Sequence, residues 1–177
     1  DSINDPVIRR MRELVTRINP GLKGDIAEIK IIETGHGAIM ISLPESILFQ
    51  SGEARVRSEA LPLLKALADV LIEMGRHIRI LGHTDNVPIR TAQFPSNWEL
   101  SAVRAVMVVR IFSELYEVPI THLSATGFAD SKPVATNDTP EGRTKNRRVE
   151  IIVLENHASE ETLDALLPKE NASAPLP

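Results

Sequence analysis

Ile78-Arg79-Ile80-Leu81-Gly82-His83-Thr84-Asp85-Asn86 leads, after a spacer, into Phe94-Pro95-Ser96-Asn97-Trp98-Glu99-Leu100-Ser101 and on to Arg104-Ala105. The first part reads as a short strand over 77–82 that ends in a polar passage. The second reads as a helix start. Ser96 and Glu99 stand three apart just before an apolar run, the spacing of a capping box. The helix is predicted to reach Leu115 or Tyr116, with Leu100, Val103, Met107, Ile111 and Leu115 on its core face. Leu123 to Phe128 follows as another strand.

Upstream, Asp5-Pro6 supplies an N-cap and a first-turn proline, and Asn19-Pro20-Gly21 a stop. Between them Val7, Met11, Leu14 and Ile18 recur at helical spacing, with Ile8 and Val15 beside them. Residues 26–33 alternate apolar and polar, Thr34 to Gly37 is a turn, and Ala38 to Leu43 returns as a second strand, together a hairpin. Leu48 to Gly52 reads as a loop. A helix over Ser58–Met74 turns Leu61, Leu64, Leu67, Ala68 and Leu71 inward, and Gly75 ends it. Downstream, a long polar loop from Ala129 to Lys145 precedes a last strand, Arg147–Leu154. Ser159–Leu167 is predicted as a closing helix, and Asn171–Pro177 as a disordered tail.

This order predicts an α/β (α+β) fold, a two-layer sandwich with a mixed sheet of about five strands and helices on one face. The expected division is a linker with an amphipathic helix over 1–25, the main domain over 26–157, and a terminal helix and tail over 158–177. The apolar share of 42% and charged share of 25% are ordinary for a globular domain. A formal charge of −4 argues against a general nucleic-acid binder. The absence of cysteine excludes disulfides and thiolate chemistry. No apolar run approaches the ~20 residues that span a bilayer.

The polar residues cluster where elements begin and end. Asn97, Ser101 and Arg104 are spaced i, i+4, i+7, a polar stripe along the first turns of the helix. An arginine among Val103, Val106 and Met107 needs a carboxylate or a ligand to face, and its planar fork suits a carboxylate. Asp85 can take an ammonium while Arg104 takes the carboxylate of the same zwitterion. Alternatively, the two pair with each other and lock the fold. Thr84 stands beside Asp85. Asn146, Arg147 and Arg148 close a cationic run that begins at Arg143, and in a strand Arg147 and Arg148 must point to opposite faces. The five histidines show no metal-ligand spacing. Ser101, His83 and Asp85 can be drawn as a hydrolytic triad, but the serine lies inside a helix and no oxyanion donor is evident. Trp98 reads as a packing wedge.

In order and wording these segments resemble the OmpA-like peptidoglycan-binding domain, and Phe94-Pro95-Ser96-Asn97-Trp98-Glu99-Leu100-Ser101 resembles its flagellar motor stator B subunit branch. The spacer Asn86–Ser96 is longer than in the general OmpA-like pattern, as in that branch. The resemblance implies noncovalent binding to peptidoglycan through its diaminopimelate peptide, with glycan contact as well. Asp85 and Arg104 are then the main contacts, Thr84, Asn97 and Ser101 lie around them, and Asn146, Arg147 and Arg148 are secondary. It also implies a non-enzymatic anchor with no cofactor and no metal, a homodimer, and an A-type stator membrane subunit as partner. The expected location is the periplasm, below a single inner-membrane helix that lies outside this sequence. The first helix would be a movable element: unwinding its thirteen residues would add roughly 25 Å of reach. The rival readings are another envelope anchor, such as a lipoprotein or secretion-system accessory subunit, and a cell-wall hydrolase.

Overall fold

β2 (Ile39–Pro44) and β5 (Arg148–Val153) pair antiparallel, setting Ile39, Ile41 and Leu43 opposite Val153, Ile151 and Val149. The computed structural model describes residues 6–18, 29–33 and 38–154. β1 (Lys30–Glu33), β3 (Ile78–His83) and β4 (Leu123–Gly127) complete a sheet in the order β1-β2-β5-β3-β4. β3 and β4 run parallel and the other pairs antiparallel, so the sheet is mixed, as expected. The register aligns Ile31, Ile41, Ile151, Ile80 and Ala125 in one row across all five strands. Ile41, Ile151 and Ile80 are each 0% exposed. Burying an aliphatic side chain of this size contributes about 1.5–3 kcal/mol, so this row fixes the face that must meet the helices.

Three of the described α-helices, the first, third and fourth in chain order, cover that face. α1 (Pro6–Ile18) buries Ile8, Met11 and Val15 in the same apolar cluster, and its Arg12 pairs with Glu33 at 3.2 Å. Arg10 of α1 pairs with Glu73. After a one-turn α2 (Glu45–Leu48), a 3-10 turn over Ser58–Ala60 leads into α3 (Leu61–Met74), which Gly75 ends in the left-handed conformation at φ 60°. α4 (Asn97–Arg110) relaxes into a π turn at Ile111–Leu115. α5 (Pro140–Asn146) starts at Thr139, whose hydroxyl accepts from the Gly142 amide at 3.1 Å. The N-cap at Asp5, the stop at 19–21, strand residues 26–28, the turn at 34–37, and the C-terminal helix and tail lie outside the described residues.

The face that α4 buries differs from the expected one. Leu100 is buried, but Val103 is 37% exposed and Leu115 is 58% exposed. The buried stripe is instead Leu100, Ser101, Arg104, Ala105, Val108 and Phe112. Close backbone packing is the cause. A Cβ added to Gly82 would stand 2.1 Å from the Ser101 carbonyl oxygen, and one on Gly127 would stand 2.5 Å from the Ala102 amide nitrogen. The helix thus rests on β3 and β4 through glycine and small side chains. The long apolar residues of the expected stripe fall to the side.

On the opposite face of the sheet Arg148 and Glu150 are buried. Arg148 Nε lies 3.2 Å from Glu150 Oε2, and its guanidinium also donates to the carbonyls of Asn146 and Lys132 at 3.0 Å each. His83 Nε2 lies 2.5 Å from Glu150 Oε1, and its ring stacks on Phe128. Burial raises the Glu150 pKa, but His83 and Arg148 outweigh it and hold the carboxyl below its ordinary 4.5. A folded-state pKa below the unfolded one gives stability that is complete above the ordinary carboxylate range. That stability is lost as pH falls through the range toward the depressed value. Urea unfolding at a series of pH values should therefore show a shallower acid-side loss for Glu150→Gln than for wild type. Identical acid limbs would remove Glu150 from the account.

Candidate functional site

The end of β3 hands the chain into the polar passage with a set of short-range bonds. The Thr84 amide donates to the Ala129 carbonyl at 2.9 Å, joining the ends of β3 and β4. The Thr84 hydroxyl donates to the Asp85 carbonyl at 2.7 Å. Asp85 Oδ1 accepts from the Val87 amide at 2.9 Å, a turn that orients the carboxylate. α4 begins with Ser96, whose Oγ accepts from the Trp98 amide at 3.2 Å and whose hydroxyl donates to the Glu99 carboxylate. Asn97 Nδ2 then reaches back to the carbonyls of Val87 at 3.0 Å and Asp85 at 3.4 Å, stapling the spacer at its base. Phe94, 2% exposed, packs with Ala54 and Leu100 beneath it.

The two residues that the sequence singles out do not pair with each other. Asp85 Oδ2 accepts from Arg147 Nη1 at 2.7 Å. Arg104, 3% exposed, holds Glu45 Oε1 at 2.7 Å and donates to the carbonyls of Glu53 at 2.7 Å and Gln50 at 3.3 Å. Its guanidinium carbon stands 4.8 Å from the centroid of the Phe49 ring. Glu45 Oε2 in turn accepts from Arg147 Nε at 2.7 Å, and Arg147 Nη2 donates to the Thr144 hydroxyl at 3.1 Å. The result is a chain of alternating charge, Arg104–Glu45–Arg147–Asp85. Burial works against the Arg147 charge, but Asp85 and Glu45 hold its pKa above the ordinary guanidinium value. Each end of the chain carries the sign that one end of an amino-acid zwitterion would meet.

Glu45 is the member that sequence reasoning missed. It follows Pro44 at the end of a strand, and its arginine partners lie 59 and 102 positions away, beyond any local pattern. Arg147 caps the end of α5 just before β5 begins at Arg148, and the two side chains go to different partners. Arg147 enters the charge chain, whereas Arg148 is buried and bonded to Glu150 and to the carbonyls of Asn146 and Lys132. Ser101, 0% exposed, donates to the Trp98 carbonyl at 3.1 Å and accepts from the Ala129 amide at 3.0 Å. Asn146, 0% exposed, accepts from the amides of Val134 and Ala135 and donates to the Ala135 carbonyl and to Asn137 Oδ1. Ser101, Asn146 and Arg148 therefore hold the walls of the site. The Ser101 hydroxyl and the His83 ring have separate partners, so no triad is assembled. Trp98 is 56% exposed and is not the packing wedge expected of it.

A model of the OmpA family matches residues 48–147. The chain belongs to the OmpA family. It is 45% identical over 123 residues to Motility protein B of Bacillus subtilis, covering 69% of this chain and 47% of that protein. It is 30% identical over 139 residues to Motility protein B of Helicobacter pylori, covering 77% of this chain and 52% of that protein. The chain spans about half the length of the curated relatives it matches. Among solved structures, the cell wall anchor of the T6SS from Pseudomonas aeruginosa superposes with a TM-score of 0.72 at 32% identity, covering 84% of this chain and 96% of that one. A putative MotB-like protein from Desulfovibrio vulgaris gives 0.71 at 32% identity, covering 83% and 90%. The periplasmic domain of Helicobacter pylori MotB gives 0.68 at 26% identity, covering 81% and 93%.

Proposed function

We propose that this chain is the periplasmic, peptidoglycan-binding part of a flagellar motor stator B subunit, and that it anchors the ion-driven complex to the cell wall without covalent chemistry. The charge chain Arg104–Glu45–Arg147–Asp85 is the observation that carries this reading. The zwitterionic end of diaminopimelate presents one ammonium and one carboxylate. Asp85 receives the ammonium, and the two arginines receive the carboxylate in place of Glu45 or beside it. Thr84 and Asn97 fix the Asp85 turn, while Ser101, Asn146 and Arg148 hold the surrounding walls. Two relatives named Motility protein B and the MotB periplasmic structure support the motor assignment. In the full protein the partners are a second copy and the A-type membrane subunit.

Charge-assisted bonds contribute about 1.5–3 kcal/mol each, so one site binds only modestly. Two copies on a repeating polymer gain avidity without new contacts. This suits an anchor that exchanges. The second reading, another wall anchor of the same family, is favoured by the likeness to the T6SS cell wall anchor. The segment upstream of this sequence decides between them: a membrane helix carrying an acidic residue indicates a stator, and a lipobox indicates a lipoprotein.

Co-sedimentation with isolated peptidoglycan sacculi tests the site. Asp85→Ala is expected to bind about 10–100-fold more weakly than wild type, the loss of one or two charge-assisted bonds. Circular dichroism should confirm that the variant is folded. Undiminished binding by a folded variant would make Asp85 a structural partner of Arg147 alone. Soluble muropeptides released by wild type would turn the reading to a hydrolase.

A further inference from the structure

The face of the sheet away from the helices holds a cleft that the charge chain does not fill. Its volume is about 250 Å³, and it lies between the outer face of β1 and β2 and the segment that ends in α5 and Arg147. Ile32, Met40 and Val134 give it apolar walls, and Lys30, Lys145 and Arg147 give it cations. The charges on its floor cancel, because Glu150 is held by Arg148 at 3.2 Å and by His83 at 2.5 Å. Arg147 is committed to Asp85 and Glu45. Lys30 and Lys145 are both exposed, and neither has an ion-pair partner among the described residues. A lysine on an edge strand often serves only to block pairing with other chains. Here the register puts Lys30 in one row with Ser42 and Glu150, on the cleft face, and Lys145 approaches from a different element. Two unpaired ammonium groups beside an aliphatic wall suit a carboxylate carried on a short aliphatic peptide.

The cleft adjoins the charge chain. Arg147 borders both, and Pro44 at the cleft edge immediately precedes Glu45. The geometry points to a second subsite, in which this cleft takes the carboxylate-bearing peptide that continues from a zwitterionic end held at Asp85. This inference rests on the peptidoglycan reading above. In a wall peptide the residue joined to diaminopimelate is a γ-linked D-glutamate with a free α-carboxylate, preceded by an alanine. Lys30 and Lys145 receive that carboxylate, and Ile32, Met40 and Val134 receive the aliphatic segment.

NMR titration of the chain with three ligands tests the subsite: free diaminopimelate, the tripeptide L-alanyl-γ-D-glutamyl-diaminopimelate, and the same tripeptide with the glutamate α-carboxylate amidated. Wild type is expected to bind the carboxylate tripeptide about tenfold more tightly than the amidated one. Amide shifts should spread to residues 30–32 and 144–147. The double variant Lys30→Met, Lys145→Met keeps the apolar stems at two exposed positions. It should lose the preference between the tripeptides and bind free diaminopimelate as wild type does. Equal binding of the two tripeptides by wild type, or a preference that survives in the double variant, would overturn the subsite while leaving the zwitterion site intact. If free diaminopimelate does not bind and the carboxylate preference remains, the cleft stands and the zwitterion site falls. If wild type binds none of the three, both readings fall.

Discussion

Arg104→Ala is expected to lower the unfolding free energy by about 3–5 kcal/mol, the range found when one member of a buried ion pair is removed. The side chain is 3% exposed and has four partners: Glu45, the carbonyls of Gln50 and Glu53, and the Phe49 ring. Truncation leaves Glu45 with Arg147 alone, strips two carbonyls of a donor, and opens a void beneath α4. Lysine restores the charge but not the fork that reaches several acceptors at once, so Arg104→Lys should recover only part of the loss. Arg104→Met combined with Glu45→Gln should recover more, because no unpaired charge then stays buried. Urea denaturation of the four proteins measures all of this. A loss below about 1 kcal/mol for Arg104→Ala would mean that water compensates Glu45 and that the pair behaves like a surface one. A large loss has a bearing on binding assays as well. Weak wall binding by Arg104→Ala would then reflect a displaced Glu45 and a loosened α4 as much as a missing ligand contact.

Gly82→Ala should be at least as damaging, with a cost of about 3 kcal/mol or more, because overpacking against backbone has no cheap relief. The added Cβ would meet Ser101 O at 2.1 Å, Ser101 C at 2.8 Å and Ser101 Cα at 3.2 Å. None of these is a flexible side-chain end, so α4 itself must move. Moving it breaks the bond from the Ala129 amide to the Ser101 hydroxyl, now 3.0 Å, and shifts Arg104 off Glu45. Hydrogen exchange should then show the Ala129 amide losing protection along with the global destabilisation. Gly75→Ala is the control. Nothing lies within 4 Å of its Cβ position, and the left-handed φ of 60° alone should cost about 1 kcal/mol. Equal, small losses at the two glycines would show that α4 is not seated on β3 as described.

Much of the fold was legible because its signals are local. Ser96 and Glu99 mark the start of α4, and Gly75 marks the end of α3. The expectation that Arg147 and Arg148 diverge holds for their partners, although Arg147 lies at the end of α5 and not in the strand. What local pattern could not reveal was which side of α4 turns inward. Apolar spacing favours Val103, Met107 and Ile111, yet the glycines at 82 and 127 and the carboxylate of Glu45 draw in Ser101, Arg104 and Ala105. The candidate site was half legible for the same reason. Asp85 and Arg104 stand out by their neighbours in sequence. Their partners Arg147 and Glu45 are set by how the ends of β2, β3 and β5 meet. One weak signal for Glu45 existed, an acid directly after Pro44 at a strand end, but an acid there is equally an ordinary turn residue.

The staple that Asn97 makes to the carbonyls of Val87 and Asp85 separates the spacer from the scaffold. Residues 88–96 leave and return through a closed gate, and Phe94 seats them on Ala54 and Leu100 of the scaffold. A loop whose ends are pinned in this way can lengthen cheaply, at about 0.6 kcal/mol for each doubling. The segment is therefore an exchangeable insert. With Ile89 and Phe94 kept on their apolar seat, its length and chemistry can be rewritten beside Asp85 while the sheet, the buried arginines and the register stay as they are.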